Sequence, residues 1–135
     1  MASFQEVGHT ADLALRVEAV DLATLFATAA RGMYHLMGCT ADDDARPVTR
    51  KITLEAPDVE TLLVDWLGEL LYLFDVHAEC FHDYEALAVD RGRISARVHG
   101  RAGARAERGI KAVTYSGLRI TETPEGCLAT VTFDV

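Results

Sequence analysis

The stretch VETLLVDWLGELLYLFD, residues 59–75, has the helical spacing of apolar residues that decides how the rest of the chain must pack. Its apolar residues surround most of the helical circumference: Leu62, Leu63, Val64, Trp66, Leu67, Leu70, Leu71, Leu73 and Phe74. Glu60, Asp65 and Glu69 form only a thin polar stripe. A helix that is apolar nearly all round is buried on more than one side. We therefore predict that other elements cover this helix on two sides.

A second helix and several strands are available to cover it. Asp21 caps a helix that runs to about Met37, where Gly38 ends it, and Pro57 and Asp58 open the helix described above. Alternating apolar residues predict strands at FQEVG, LALRVEA, VTRKITLEA, RISARVHG, IKAVTYSGLRITE and CLATVTFDV. Because strands precede and follow both helices, we expect an α+β fold: a three-layer β/α/β sandwich with two main helices packed between sheets. We expect residues 1–135 to form one domain.

Composition and net charge argue against several classes of function. Three cysteines far apart in the sequence, Cys39, Cys80 and Cys127, include no CxxC pair and favour a reducing cytoplasm. We found no export signal and no stretch of about 18 apolar residues, so we expect a cytoplasmic protein that does not associate with membranes. The formal charge of −8 argues against general binding of nucleic acid.

The basic residues are nevertheless concentrated in one segment. Between residues 91 and 111 a single acid, Glu107, accompanies Arg91, Arg93, Arg97, Arg101, Arg105, Arg108 and Lys111. Such a segment can dock on a charged partner. The alternation of arginine in RGRISARVHGR is more typical of the solvent-exposed face of a strand pair, and we favour that interpretation.

Few residues in the sequence carry an obvious chemistry. Asp65 and Glu69 are four residues apart and could act as paired carboxylates, although a solvated helix stripe is the favoured interpretation. His77, Cys80 and His82 lie within the spacing of metal ligands, but no second cluster completes a tetrahedral site, so we interpret HAECFH as a loop. GRAGARAERG is not a phosphate-binding loop, and no GxSxG motif is present.

Asp12 stands where the alternation of LALRVEA begins. Strands disfavour aspartate, so this residue is either a turn former or part of a site. The residues around it offer no way to choose between the two, and a turn former is the commoner role.

Four blocks together resemble the archease family. They are HTADLAL near the start, LLVDWLGELLYLFD in the middle, IKAVTYSGLRI late in the chain and the terminal FDV, in the family's order and at similar spacing. The resemblance covers nearly the whole chain and implies the same β/α/β sandwich. It also implies a protein cofactor without catalytic activity of its own, which activates the GTP-dependent tRNA-splicing RNA ligase by promoting its guanylylation and multiple turnover.

The resemblance also implies partners and leaves two alternatives. The expected partner is the RNA ligase, so contact with RNA is only indirect. Some family members are linked to a tRNA methyltransferase, which makes a chaperone-like modulator the first alternative. A metal-dependent phosphoesterase that uses Asp12 and Asp134 is the second, and it is weaker because the sequence offers no general base.

The family's site residues map onto four positions of this chain. The resemblance implies a calcium site, or a site for another divalent cation, at Asp12, Asp134 and Val135, the last through main-chain oxygens. Several carboxylate oxygens are the ligands that such a hard cation prefers. Lys111 matches the family lysine that is important for ligase activation, and alternation places it on the face opposite Ile110. Gly68 and Ser116 depart from the family pattern, which more often has Asn and His there.

Overall fold

The structure is a computed structural model that describes residues 2–8 and 12–135, with the backbone alone for Gly8 and Asp12. Within these residues, two helices and eight strands follow one another. The helices are α1 (Leu22–Met37) and α2 (Val59–His77). The strands are β1 (Ser3–Gly8), β2 (Asp12–Ala19), β3 (Pro47–Glu55), β4 (Cys80–Val89), β5 (Arg93–Arg101), β6 (Ala112–Thr114), β7 (Ile120–Thr123) and β8 (Gly126–Asp134).

Both helices begin, and α1 ends, where local chemistry predicts. The side chains of Asp21 and Asp58 accept hydrogen bonds from the backbone N–H groups of Thr24 and Thr61, at 2.8 and 2.7 Å. Each bond satisfies one of the free N–H groups of a first helical turn. Gly38 ends α1 with φ 62°, a left-handed conformation that glycine adopts without a steric penalty. The predicted bounds of α1 are confirmed, and α2 extends two residues beyond the predicted Asp75.

The strands form two antiparallel sheets with the helices between them. One sheet has the order β1-β2-β8-β6, with β7 also paired to β8, and the other has the order β3-β5-β4. Helix α1 contacts β1, β2 and β8 of the first sheet and β4 of the second. Helix α2 contacts β6 of the first sheet and β3, β4 and β5 of the second. The predicted β/α/β sandwich is therefore confirmed.

The core lies where the three layers meet. Trp66 of α2 is fully buried, and its indole N–H donates a 2.9 Å hydrogen bond to the carbonyl oxygen of Phe26 in α1. The nearly complete apolar circumference of α2 is buried in this core, as its composition predicted. In the described part of the chain, neither helix is apolar over enough of its length to cross a bilayer.

Two predictions about strands were wrong. HAECFH is not a loop: α2 ends at His77, and β4 begins at Cys80. Two irregularities in the pairing of β4 with β5 and a positive φ of 53° at Ala86 break the alternation that would have revealed this strand. The stretch IKAVTYSGLRITE is also not one strand, because a turn around Gly117, with φ 66°, separates β6 from β7.

Candidate functional site

One end of the five-stranded sheet brings three separate parts of the chain together. Strand β8 lies between β2 and β6 there, and Asp134 is paired in register with Asp12 on one side and with Ala112 on the other. Residues directly opposite each other in an antiparallel pair are neighbours on the sheet. The two acids that the resemblance assigns to a cation are thus adjacent through their backbones.

The end of β8 has the pattern of a strand with one solvated face. Residues 127, 129, 131 and 133 are buried, whereas Asp134 is exposed and Val135 is 39% exposed. Asp134 and Val135 are therefore both accessible from solvent at the end of the sheet.

The structure describes Asp134 and Val135 of this site in full and Asp12 through its backbone alone. His9, Thr10 and Ala11 of the HTAD block lie outside the described residues, as does the side chain of Asp12. Among the side chains that the structure does describe, no group of three or more His, Cys, Asp or Glu residues converges as a metal site. The donor chemistry fits calcium, because carboxylate and main-chain oxygens are hard ligands. The assignment of Asp12, Asp134 and Val135 as ligands stays a prediction.

Lys111 lies beside the same sheet end. Its backbone N–H donates a 2.7 Å hydrogen bond to the carbonyl oxygen of Asp134. Lys111 precedes β6 rather than lying within a strand, yet Ile110 is buried and Lys111 is exposed, as alternation predicted. The lysine is therefore available to a partner and close to the paired aspartates.

A groove of about 650 Å³ extends from Lys111 along α2. Its lining includes Asp65 and Glu69, which are half-buried rather than fully solvated. Both acids lie on the same helix face as Gly68, and the residues of β6 close the opposite side. The sequence predicted the polar stripe of α2, but not that it borders the candidate lysine.

His77, Cys80 and His82 do not form a metal site with one another. His77 is the last residue of α2 and contacts the ring of Tyr72, with centroids 6.1 Å apart, whereas His82 is exposed on β4. Cys80 is half-buried beside Cys39, and the interaction of the two thiols raises the pKa of Cys39 and lowers the pKa of Cys80. No local pattern in the sequence signals this contact, because it joins the end of α1 to the start of β4.

Three hydrogen-bonded side chains form a row across the three-stranded sheet, and the sequence did not predict it. The Nδ1 atom of His99 lies 2.9 Å from Thr49 Oγ1, and its Nε2 atom lies 2.6 Å from Glu85 Oε2. Thr49, His99 and Glu85 belong to the neighbouring strands β3, β5 and β4. Cross-strand polar pairs of this kind stabilise sheets, and we assign this stabilising role to these three side chains.

Arg93, Arg97 and Arg101 lie on the face of β5 that is turned away from the core, as the favoured interpretation predicted, whereas Arg91, Arg105 and Arg108 lie outside this strand. Ile94, Ala96 and Val98 are buried between the arginines of β5. Four arginines of the segment pair with acids from elsewhere in the chain: Arg91 with Glu122, Arg93 with Glu55 at 2.6 Å, Arg105 with Asp42 at 3.2 Å and Arg108 with Glu6 at 4.0 Å. Lys111 instead borders the groove on α2. The basic segment is therefore not one docking face.

The fold and this sheet end define a class of small α+β sandwich in which two helices separate two antiparallel sheets. The chain matches the family described as Archease protein family (MTH1598/TM1083) over residues 4–135. It belongs to the archease family, which confirms the resemblance found in the sequence.

Individual relatives agree with this assignment. The protein archease of Methanosarcina barkeri is 34% identical over 140 residues, covering 98% of this chain and 95% of the relative. The solution structure of protein 1598 of Methanobacterium thermoautotrophicum has a TM-score of 0.74 at 25% identity, covering 98% of this chain and 99% of its own. The crystal structure of an archease from Thermotoga maritima, described as a possible chaperone, has a TM-score of 0.71 at 17% identity, covering 97% and 96%.

Proposed function

We propose that this protein is a non-enzymatic, metal-binding cofactor that activates a GTP-dependent RNA ligase in tRNA splicing or RNA repair. The observation that carries the proposal is the register of β2, β8 and β6, which brings Asp12, Asp134 and the Lys111 segment to one sheet end. Membership of the archease family supports a cofactor role in general. The ligase as partner, the calcium ion and the ligands are parts of the proposal.

The residues at this sheet end have two different roles in the proposal, binding of a cation and contact with the partner. Asp12 and Asp134 would hold the cation, together with the main-chain oxygens of Val135. A bound calcium ion supplies positive charge that compensates the two carboxylates and any phosphate brought close to it. Lys111 adds a second positive charge on a flexible stem, suited to a carboxylate or phosphate of the partner. The protein would thus place positive charge in the ligase's own site, where guanylylation occurs.

The direct test is multiple-turnover ligation. RNA that ends in a 2′,3′-cyclic phosphate is incubated with GTP, metal and substoichiometric ligase from the same organism, with and without this protein. We expect the protein to allow many turnovers per ligase and to speed guanylylation of the ligase. An unchanged rate of both steps would overturn the proposal.

Two controls separate the alternatives. The protein alone, incubated with RNA, GTP and metal, should show no turnover, because any intrinsic hydrolysis would favour a phosphoesterase at Asp12 and Asp134. The chaperone-like alternative draws support from the description of the Thermotoga maritima structure as a possible chaperone. It predicts instead that the protein changes the solubility or specificity of a tRNA methyltransferase and leaves the ligase unaffected.

A further inference from the structure

The groove on α2 lies between the edges of the two sheets. Its floor is α2, one side is formed by Leu54 of β3, and the other is formed by residues 111–113 at β6. In the part of the chain that the structure describes, β3 pairs only with β5 and β6 pairs only with β8. Both edges therefore have backbone hydrogen-bonding groups that no strand uses on the side away from these partners.

The floor of the groove has an apolar part that is unusual for this molecule. Tyr72 and Val76 are 50% and 58% exposed, whereas most other large apolar residues of α2 are buried. They continue the helix face that begins with Asp65 and Glu69, because positions 65, 69, 72 and 76 follow helical spacing. Exposed apolar residues that line a groove with a polar rim are typical of a protein-binding site.

The charges of the groove indicate what kind of segment it accepts. Asp65, Glu69 and Asp75 line it together with a single cation, Lys111. None of these four side chains forms an ion pair with any residue in the described part of the chain. Three unpaired carboxylates repel a nucleic-acid backbone and attract a cationic protein segment.

From this geometry we propose that the groove binds an amphipathic segment of the partner ligase that carries Lys or Arg beside apolar residues. The apolar side chains of the segment contact Tyr72 and Val76, and its cations pair with the carboxylates of α2. Because the groove ends at Lys111, a segment bound there brings the partner to the sheet end described above. This inference rests on the proposed function for the identity of the partner.

Variants of the groove test the assignment. Gly68→Trp fills it, since an added Cβ at Gly68 has no atom within 4 Å, and Glu69→Lys reverses one of its charges. We expect each variant to weaken binding to the purified ligase at least about tenfold, measured by calorimetry. Saturating protein should restore the full ligation rate, because Lys111 and the paired aspartates are intact. Circular dichroism and thermal unfolding establish that each variant is folded.

Matched controls carry the same changes on other surfaces. Thr130→Trp adds the same bulk on the exposed face of β8, and Glu125→Lys reverses an exposed charge before that strand. Both should bind the ligase as the wild-type protein does. If the wild-type protein binds and activates the ligase and the groove variants bind equally well, the groove assignment is wrong and the proposed function stands. If the wild-type protein binds no ligase, both are wrong.

The chemistry of the bound segment is tested separately by photocrosslinking. A benzophenone amino acid at position 72, in the groove, is irradiated in the complex with ligase and RNA, and the crosslinked product is identified by mass spectrometry. We expect a ligase peptide with more Lys and Arg than Asp and Glu. A crosslink to RNA, or to a ligase peptide without excess positive charge, would contradict the proposal.

Discussion

The backbone N–H of Lys111 donates a 2.7 Å hydrogen bond to the carbonyl oxygen of Asp134. This bond continues the pairing of β6 with β8, in which Asp134 is opposite Ala112. It joins the candidate lysine to the candidate metal-binding acid through the main chain rather than through their charges. Substitution of either side chain therefore leaves this contact in place, so their effects can be separated from folding.

The first prediction concerns Lys111. Lys111→Ala should lower ligase activation at least about tenfold, because the exposed side chain supplies a positive charge for the partner. The free energy of unfolding should change by no more than about 0.5 kcal/mol, as is usual for an exposed residue. The matched control is Lys51→Ala, which removes the other lysine of the chain from an exposed position on β3. Full activity of Lys111→Ala would leave Lys111 as a solubilising surface residue.

Asp134 provides the second prediction. Asp134→Asn keeps the backbone contact with Lys111 but removes one anionic ligand, so calcium affinity and ligase activation should fall together. We expect a loss of at least about tenfold in calcium affinity, because the charge of the ligands sets the affinity of such sites. Calcium titration by calorimetry measures it, with Glu125→Gln as a control for an exposed acid elsewhere. Equal calcium binding in both variants would remove Asp134 from the site.

The third prediction concerns the free carboxylate of a chain that ends at Val135. Extending that chain by a short neutral tag removes the carboxylate without changing any side chain, and should weaken both calcium binding and ligase activation. Val135→Ala should have a mild effect, because only its main chain is used. If tagged and untagged proteins bind calcium equally, the cation must be held by Asp12 and Asp134 without the terminal carboxylate.

Replacement by alanine should have opposite effects on stability at the two helical glycines, Gly32 and Gly68. An added Cβ at Gly32 would lie 2.5 Å from Leu15 Cδ2 and 3.0 Å from Phe4 Cγ, whereas Gly68 has open space. Gly32→Ala should therefore destabilise the protein by about 1 kcal/mol or more, since overpacking exceeds the gain in helix propensity. Gly68→Ala should stabilise it by up to about 1 kcal/mol. Urea unfolding of the two variants checks both signs.

The last prediction concerns pH. Hydrogen bonds from the side chain and the backbone N–H of Thr24 hold the pKa of Asp21 below its usual value. The stabilisation that depends on its charge is complete above the unfolded-state pKa of about 3.9 and is lost as pH falls through the lower folded-state pKa. Asp21→Asn keeps a capping side chain that does not titrate. The difference in unfolding free energy between wild type and Asp21→Asn should shrink below about pH 4, and a constant difference would contradict this.

Much of the fold was readable from local sequence. Asp21 and Gly38 marked the ends of α1, and the apolar circumference of α2 required cover on two sides, which the two sheets provide. Strand β4 was not readable, because its irregular pairing and the positive φ of Ala86 remove the alternation on which recognition of a strand depends.

The residues of the candidate site were named from the family resemblance, and the chain on its own gave no reason to bring them together. Local periodicity reports which residues share a face of one helix or strand, but not which strands become neighbours. That Asp12 lies opposite Asp134, and that Lys111 borders a groove on α2, depends on strand order and register. Sequence alone determined the two helices, most of the strands and the burial of α2. Only the tertiary structure decided these contacts, because burial of the whole core selects one register among strands far apart in the chain.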